Sequence, residues 1–153
     1  MRSALLKRFA GWIGSWSGPV QLPEGRDGVM QLDITPIFEG DALEVGAIMT
    51  DQTGQVLIGR GIGFWSLERD GRVCCVMYGG SVGFTELLES PDDPDALALS
   101  GPLGDGRTLT VMYSQNDGGL QLTSSTSEGY TGSVTVRNIT QLRRRAESEI
   151  PPL

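Results

Sequence analysis

Hydrophobic and polar residues alternate along most of the chain, with the period of two that is typical of half-buried β-strands. Between residues 29 and 38, Met30, Leu32 and Ile34 share one face, and the residues between them are mostly polar. The same alternation recurs further along, at residues 43–50, 97–99 and 109–113. One face of each strand is therefore expected to be buried and the other solvated, as antiparallel sheets allow.

Turn-forming residues divide the chain into about ten such segments. The dipeptide Asp70-Gly71 is one example, and it favours a tight hairpin. A helical pattern is found only at the N-terminus, where Leu5 and Phe9 share one side, and no later helix could connect parallel strands. A two-sheet sandwich and a closed barrel both fit. We favour an all-β, antiparallel up-and-down barrel of about ten strands with a short N-terminal helix, because closure leaves no exposed strand edge.

The composition predicts one globular domain. The chain has 153 residues, a length that suits a single domain. We expect this domain to span residues 1–145 and residues 146–153 to form a short tail. The only cysteines, Cys74 and Cys75, are adjacent and would point to opposite faces of a strand, so we do not expect them to bridge each other. This cysteine usage and the lack of an apolar signal-peptide core predict a cytoplasmic protein.

The chain contains no His, and this absence excludes several classes of site. A Ser-His-Asp nucleophile, a His-ligated zinc or haem and an imidazole general base all require that side chain. The formal net charge of −7 disfavours a nucleic-acid partner. No apolar run is long enough for a membrane-spanning helix. We expect no metal and no cofactor, and the spacing of the carboxylates reveals no catalytic pair.

Two segments place a charged residue in an otherwise apolar row. Arg60 shares a face with Ile62 and Phe64, and Glu86 shares a face with Phe84. A charge on a buried face is costly unless it is compensated. Three interpretations are open: the rows face outward, the two charges pair with each other, or the rows line the barrel interior. In the last case Arg60 would bind the acidic end of an apolar ligand.

Other residues would line the interior if the strands had the opposite phase. We include Trp65, Met77 and Tyr113 with Arg60 and Glu86 as candidate ligand-binding residues, although core packing also explains the first three. Glycines alternate along the Arg60 segment, at Gly59, Gly61 and Gly63. No helix follows them, so they do not form a dinucleotide-binding site, and we expect them to bend the strand or to allow a close approach.

The segment Gly14-Ser15-Trp16 follows the short helical N-terminus. It resembles the Gly-x-Trp opening of the calycin barrels, which include lipocalins, fatty-acid-binding proteins and nitrobindin-like proteins. Residues 38–43, 59–64 and 139–143 resemble segments of a bacterial lipocalin-like family within that group.

This resemblance implies an architectural role for Trp16. In calycins the first-strand Trp packs under an Arg from the end of the barrel, which implies that Arg143 or Arg137 stacks on Trp16, with Gly14 completing the signature. Nitrobindin-like proteins hold haem iron through a His, which this chain lacks, so the resemblance implies a barrel without haem.

We therefore predict non-enzymatic binding of a small apolar or amphipathic molecule in a barrel cavity. One alternative is an enzyme of the same fold, of the isomerase or cyclase type. Another is a structural or interaction barrel whose lumen is filled by its own side chains. Among partners we expect the small molecule but no nucleic acid and no membrane, and a homodimer is an open alternative.

Overall fold

The structure, a computed structural model of the chain, describes residues 3–22, 25–79, 83–90, 96–128 and 134–145. Within these ranges one short α-helix precedes ten β-strands. The elements are α1 (Ala4–Phe9), a 3₁₀ turn (Ala10–Trp12), β1 (Gly14–Gln21), β2 (Asp27–Ile37), a second 3₁₀ turn (Phe38–Gly40), β3 (Ala42–Asp51), β4 (Leu57–Leu67), β5 (Val73–Gly79), β6 (Gly83–Ser90), β7 (Ala96–Pro102), β8 (Arg107–Asn116), β9 (Gly119–Glu128) and β10 (Val134–Arg144).

The strands form one closed antiparallel barrel. Each strand pairs with the next along the chain, and β1 pairs with β10 to close the ring. This architecture confirms the predicted all-β fold, the up-and-down connectivity and the N-terminal helix. The predicted tail, residues 146–153, lies outside the described residues. No helix in the described ranges is long and apolar enough to cross a membrane.

The N-terminal helix covers one end of the barrel. Ser3 caps it, because its hydroxyl accepts a hydrogen bond from the Leu6 N–H (3.1 Å) and donates one to the Gly40 carbonyl (2.6 Å). Leu5 and Phe9 are buried beneath the helix, and Trp12 of the following 3₁₀ turn is buried beside them. We call the half of the barrel under α1 the capped half.

Successive side chains along each strand point alternately into and out of the barrel. Inward side chains of every strand from β1 to β10 join one hydrophobic core, with Leu43, Leu97, Leu120 and Leu142 fully buried. Outward residues between them are mostly half-buried or exposed. The barrel wall thereby separates an interior surface from an outer surface, and each candidate residue can be assigned to one of them.

Candidate ligand-binding site

Four aromatic rings fill the capped half. The Phe9 ring lies 4.9 Å from the Trp12 ring and 5.4 Å from the Trp65 ring, measured between ring centroids. Tyr113 lies 5.0 Å from Trp65 and 6.2 Å from Trp12. Edge-on and tilted contacts of this kind stabilise aromatic packing. The rings form a closed floor, so the interior can accommodate a ligand only on the other side of Trp65 and Tyr113.

An ion pair fastens α1 to the barrel. The Arg8 guanidinium donates two hydrogen bonds to the Glu89 carboxylate on β6, at 2.8 and 2.5 Å. The Val73 N–H also donates to this carboxylate, at 3.1 Å. The hydrogen bonds from Arg8, the largest contribution, hold the pKa of Glu89 below its ordinary value. Glu89 therefore stays ionised and keeps the helix in place.

Trp16 packs under an arginine, as the calycin resemblance implies, but that arginine is Arg144. Its guanidinium lies 4.4 Å from the centre of the Trp16 ring. It also donates hydrogen bonds of 2.7 Å to the carbonyls of Ile13 and Gly11. The Trp16 indole N–H donates to the Trp12 carbonyl at 2.9 Å. The arrangement ties β10 to the segment that leads into β1.

Strand register explains why the prediction of Arg143 is wrong. Trp16 is the direct cross-strand partner of Arg144, whereas Arg143 is opposite Ser17 and belongs to the other face. A register shift between residues 136 and 138 takes position 137 out of the alternation that places Arg144 on the same face as Trp16. The Arg137 side chain lies outside the described residues. Gly14 leaves room for the guanidinium, since a Cβ there would lie 2.6 Å from Arg144 Nη1.

Beyond the aromatic floor, one row of paired inward positions on three adjacent strands consists of glycine alone. Gly61 on β4 pairs with Gly79 on β5, and Gly79 pairs with Gly83 on β6. We call these three residues the glycine row. A Cβ added to Gly61 would meet only backbone, with the Tyr78 carbonyl oxygen nearest at 3.5 Å. This part of the wall is bare backbone that other groups can approach closely.

Four inward-facing side chains, three of them beside the glycine row and one on β8, are only partly buried. They are Ala47, Met49, Met77 and Val111, and each packs against the hydrophobic core. Their cross-strand partners, such as Met30 for Met49 and Leu99 for Val111, are buried. An inward residue keeps exposed area only where the interior contains accessible space. The interior is therefore less tightly filled next to these four side chains, whereas Met30 and Leu109 in the same half of the barrel are buried.

Hydroxyl groups line the wall opposite the glycine row. Strand β9 lies five strands from β4 in the ring, which places Ser124 and Thr126 across the interior from the glycines. Thr140 on the neighbouring β10 is buried, and its hydroxyl has no hydrogen-bond partner in the described structure. The interior is thus mainly apolar and has a polar strip on one side.

The candidate residues predicted from sequence fall into two groups. Trp65 and Tyr113 belong to the aromatic floor, and Met77 faces the interior beside the glycine row. Arg60 and Glu86 are exposed on the outer surface. The interpretation that their rows line the lumen is therefore wrong, because the register of β4 turns the glycines and Trp65 inward. Direct pairing is also excluded, since neither residue takes part in an ion pair among the described residues.

The residues that sequence reasoning missed are Met49, Val111 and the glycine row as a unit. Met49 and Val111 occur in alternating segments that predict burial, but nothing local distinguishes a lumen-facing position from a packed one. Gly79 and Gly83 lie near a turn along the chain, so their local sequence does not mark them as part of the barrel wall. The sequence offers one signal for their position. If residues are counted away from the turn of each hairpin, β4–β5 and β5–β6, Gly79 and Gly83 can be placed in one row with Gly61.

The Cys75 thiol and the Tyr113 phenol in the interior stay neutral at neutral pH. Burial raises the pKa of the Cys75 thiol to about 12 and also raises the pKa of the Tyr113 phenol. Among the described residues, no group of three or more His, Cys, Asp and Glu could hold a metal ion. With no His in the chain, the axial ligand that haem would need by analogy with nitrobindin-like proteins is lacking.

A groove of about 740 Å³ lies on the outer surface, between the β4–β5 turn and strands β6 and β7. Its charged rim pairs internally, since Arg72 Nε lies 2.7 Å from Asp70 Oδ2. Cys74 lies in the groove 3.8 Å from Glu86 Oε1, and burial, followed by the nearby carboxylates, raises the pKa of its thiol to about 11. Its lining combines the charged residues of the turn with apolar residues of β6 and β7, such as Phe84 and Pro102.

No protein-family model and no curated protein matches the chain. A solved structure does: the crystal structure of Rv2717c from M. tuberculosis is similar to this chain, with a TM-score of 0.71. The two sequences are 13% identical, and the match covers 95% of this chain and 100% of that chain. At this level of identity the likeness concerns the fold alone.

Proposed function

We propose that this protein binds a small, largely apolar molecule inside the barrel, between the aromatic floor and the end away from α1. The observation that carries the proposal is the partial exposure of inward-facing Ala47, Met49 and Met77 next to the bare backbone of the glycine row, together with that of Val111 on β8. Ligand pockets in proteins are commonly apolar and concave, with few polar groups that orient the ligand.

The shape and chemistry of the walls suggest the class of ligand. A wall without side chains fits a flat or broad molecule, because its surface can contact backbone directly. Met49 and Met77 flank this wall, and methionine adapts its shape to irregular partners. Ser124 and Thr126 on the opposite wall supply hydroxyls for one polar end. An amphipathic molecule with a broad apolar part matches these features.

We also propose that the barrel is related to the calycins, and specifically to their bacterial lipocalin-like and nitrobindin-like members. The arrangement of Gly14, Trp16 and Arg144 supports this relationship, because it matches the arginine-on-tryptophan contact that the resemblance implies. The free thiols Cys74 and Cys75 fit a reducing compartment such as the bacterial cytoplasm. Haem is not part of this proposal.

Gly61→Leu tests the proposal by filling the interior. A Cβ at this position meets only backbone, at ordinary contact distance, so we expect the barrel to tolerate a side chain here. The matched control is Gly104→Leu in the exposed turn between β7 and β8, where a Cβ has no atom within 4 Å. The probe is anilinonaphthalene sulfonate, which is flat and amphipathic, and its fluorescence titration reports affinity.

We expect the Gly61 variant to bind the probe at least about tenfold more weakly than the wild type, and the Gly104 variant to bind it with unchanged affinity. Native mass spectrometry of the wild type purified from its own host should show a bound small molecule, which the Gly61 variant loses. Equal affinity of the two variants, or a wild type that binds no probe, would contradict binding in the interior.

A further inference from the structure

The outer surface of β4, β5 and β6 carries a continuous apolar patch. Two rows form it, and we call them together the outer patch. The central row consists of Ile62, Tyr78 and Phe84, which are direct cross-strand neighbours. The second row consists of Phe64 and Val76, which also pair.

The outer patch is unusually exposed for residues of this size. The exposed fraction is 73% for Phe84, 56% for Tyr78, 40% for Phe64 and 39% for Ile62. Single exposed apolar residues are ordinary on protein surfaces, but contiguous large ones indicate an interaction site. Aromatic residues are also enriched at protein–protein interfaces. The apolar row around Arg60 is thus explained by contact with another molecule rather than by burial in the barrel.

Charges are placed asymmetrically around this patch. Arg60 precedes the central row on β4 and marks its basic end. Glu44 is the cross-strand neighbour of Phe64, and Glu86 is that of Val76, so carboxylates flank the second row on both sides. None of these three charges takes part in an ion pair among the described residues. The surface therefore has a basic end and an acidic end with apolar side chains between them.

We propose that a second copy of this chain covers the outer patch, through a twofold axis that lies in the interface and crosses the strands at the central row. Arg60 and Phe64 lie at equal distances on either side of Ile62 along β4. Rotation about this axis therefore places Arg60 of one copy over Phe64 of the other. Glu44, beside Phe64, then comes within reach of the Arg60 side chain. Symmetry forms this ion pair twice.

The charge pattern favours this axis, which crosses the strands, over a twofold axis that runs parallel to them. A twofold axis parallel to the strands would place β3 of one copy over β6 of the other, so that Glu44 would face Glu86 of the second copy. Like charges that face each other at an interface are strongly unfavourable. The crossing axis instead brings basic and acidic ends together, and the stacked sheets keep their strand directions roughly aligned, as packed sheets do.

The first test replaces apolar contacts in the outer patch. The double variant Tyr78→Ser, Phe84→Ser changes two exposed side chains, and Ile139→Ser is the matched control, since Ile139 is 64% exposed on β10 outside the patch. Sedimentation equilibrium of the full chain should give a dimer for the wild type and the control. The double variant should dissociate at least about tenfold more readily. Circular dichroism checks that each variant is folded.

The second test reverses charges. Arg60→Glu and Glu44→Arg should each weaken the dimer, because each places like charges across the interface. The combination of both substitutions should restore it, because the pair is then re-formed with opposite polarity. Such recovery would show that Arg60 and Glu44 of the two copies contact each other, because a nonspecific effect of either charge change would not be reversed by the second substitution.

Three results would overturn the proposal. The first is a wild type that stays monomeric up to about 100 µM, well above a micromolar dissociation constant. The second is a dimer that persists in the Tyr78→Ser, Phe84→Ser variant, since it must then use another surface. The third is a variant with both Arg60→Glu and Glu44→Arg that dimerises no more tightly than the single variants, which would refute the crossing axis.

Discussion

At the scale of single residues, Arg144 joins three chain segments that are distant in sequence. Its guanidinium covers the Trp16 ring and donates to carbonyls on both sides of Trp12. Those carbonyls belong to the turn that leads from the helical cap into β1, so one side chain satisfies backbone groups that the ladder leaves unpaired. Gly14 permits this arrangement, because any larger residue would occupy the position of the guanidinium.

We expect Arg144→Ala to lower the free energy of unfolding by about 1 to 2 kcal/mol, because charge-assisted hydrogen bonds and a cation–π contact are lost. The control is Arg143→Ala, whose side chain belongs to the outward face and should change stability by less than about 0.5 kcal/mol. Urea denaturation followed by tryptophan fluorescence measures both. Similar losses in the two variants would show that the contact with Trp16 contributes little.

At the scale of elements, α1 depends on the barrel for its structure. An isolated helix of 6 residues is unstable in water, so its buried Leu5 and Phe9 and the ion pair between Arg8 and Glu89 must hold it in place. The same contacts position Trp12 on the aromatic floor. The helix is therefore the element that closes one end of the interior.

The ion pair predicts a specific pH dependence. The pKa of Glu89 is lowered in the folded state, so its stabilising contribution is present above the ordinary carboxyl pKa of 4.5 and is lost as the pH falls through the folded value. We expect Glu89→Gln to cost about 2 kcal/mol at neutral pH, and the difference from wild type to shrink progressively below pH 4.5.

Thermal unfolding across this pH range measures the effect. Glu39→Gln is the control, because Glu39 is exposed in the turn before β3 and should give a difference from wild type that stays small at each pH. A Glu89→Gln variant whose deficit is constant between neutral and acidic pH would contradict the assignment of this pH dependence to the ion pair.

At the scale of the whole molecule, the barrel has two unequal halves. The capped half contains four packed aromatic rings, and the other half contains bare backbone and partly buried side chains. Local stability follows the density of packing. The halves should therefore differ in dynamics, although the same strands run through both.

Amide hydrogen exchange can detect this difference. We expect the amides of Gly61 and Gly79 to exchange at least about tenfold faster than those of Trp65 and Cys75, which lie further along the same two strands in the capped half. Two-dimensional nuclear magnetic resonance of the full chain resolves them individually. Uniform protection along β4 and β5 would indicate that the interior is equally packed in both halves.

The sequence by itself determined most of the fold. Alternation with a period of two, frequent turn residues and the lack of a second helix are local properties, and each one directly restricts the backbone that a segment can adopt. The antiparallel all-β class and the short N-terminal helix follow from them, while the barrel is preferred to a sandwich because closure leaves no exposed strand edge. The calycin resemblance points to Trp16 as the residue on which an arginine from the end of the last strand stacks. It names Arg143 or Arg137 as that arginine, whereas the structure has Arg144 there.

Only the tertiary structure decided which face of each strand lines the interior. On β4, the row of Arg60, Ile62 and Phe64 is more apolar than the row of glycines, so local pattern alone made it the better candidate for burial. A closed barrel has a limited interior volume, and the large apolar residues lie outside while Gly61 and Trp65 face inward. Shifting a strand by one residue exchanges its faces, and pairing with neighbours fixes that choice. The same pairing assembled the glycine row, the opposite hydroxyls and the exposed outer patch from segments that are separate in sequence.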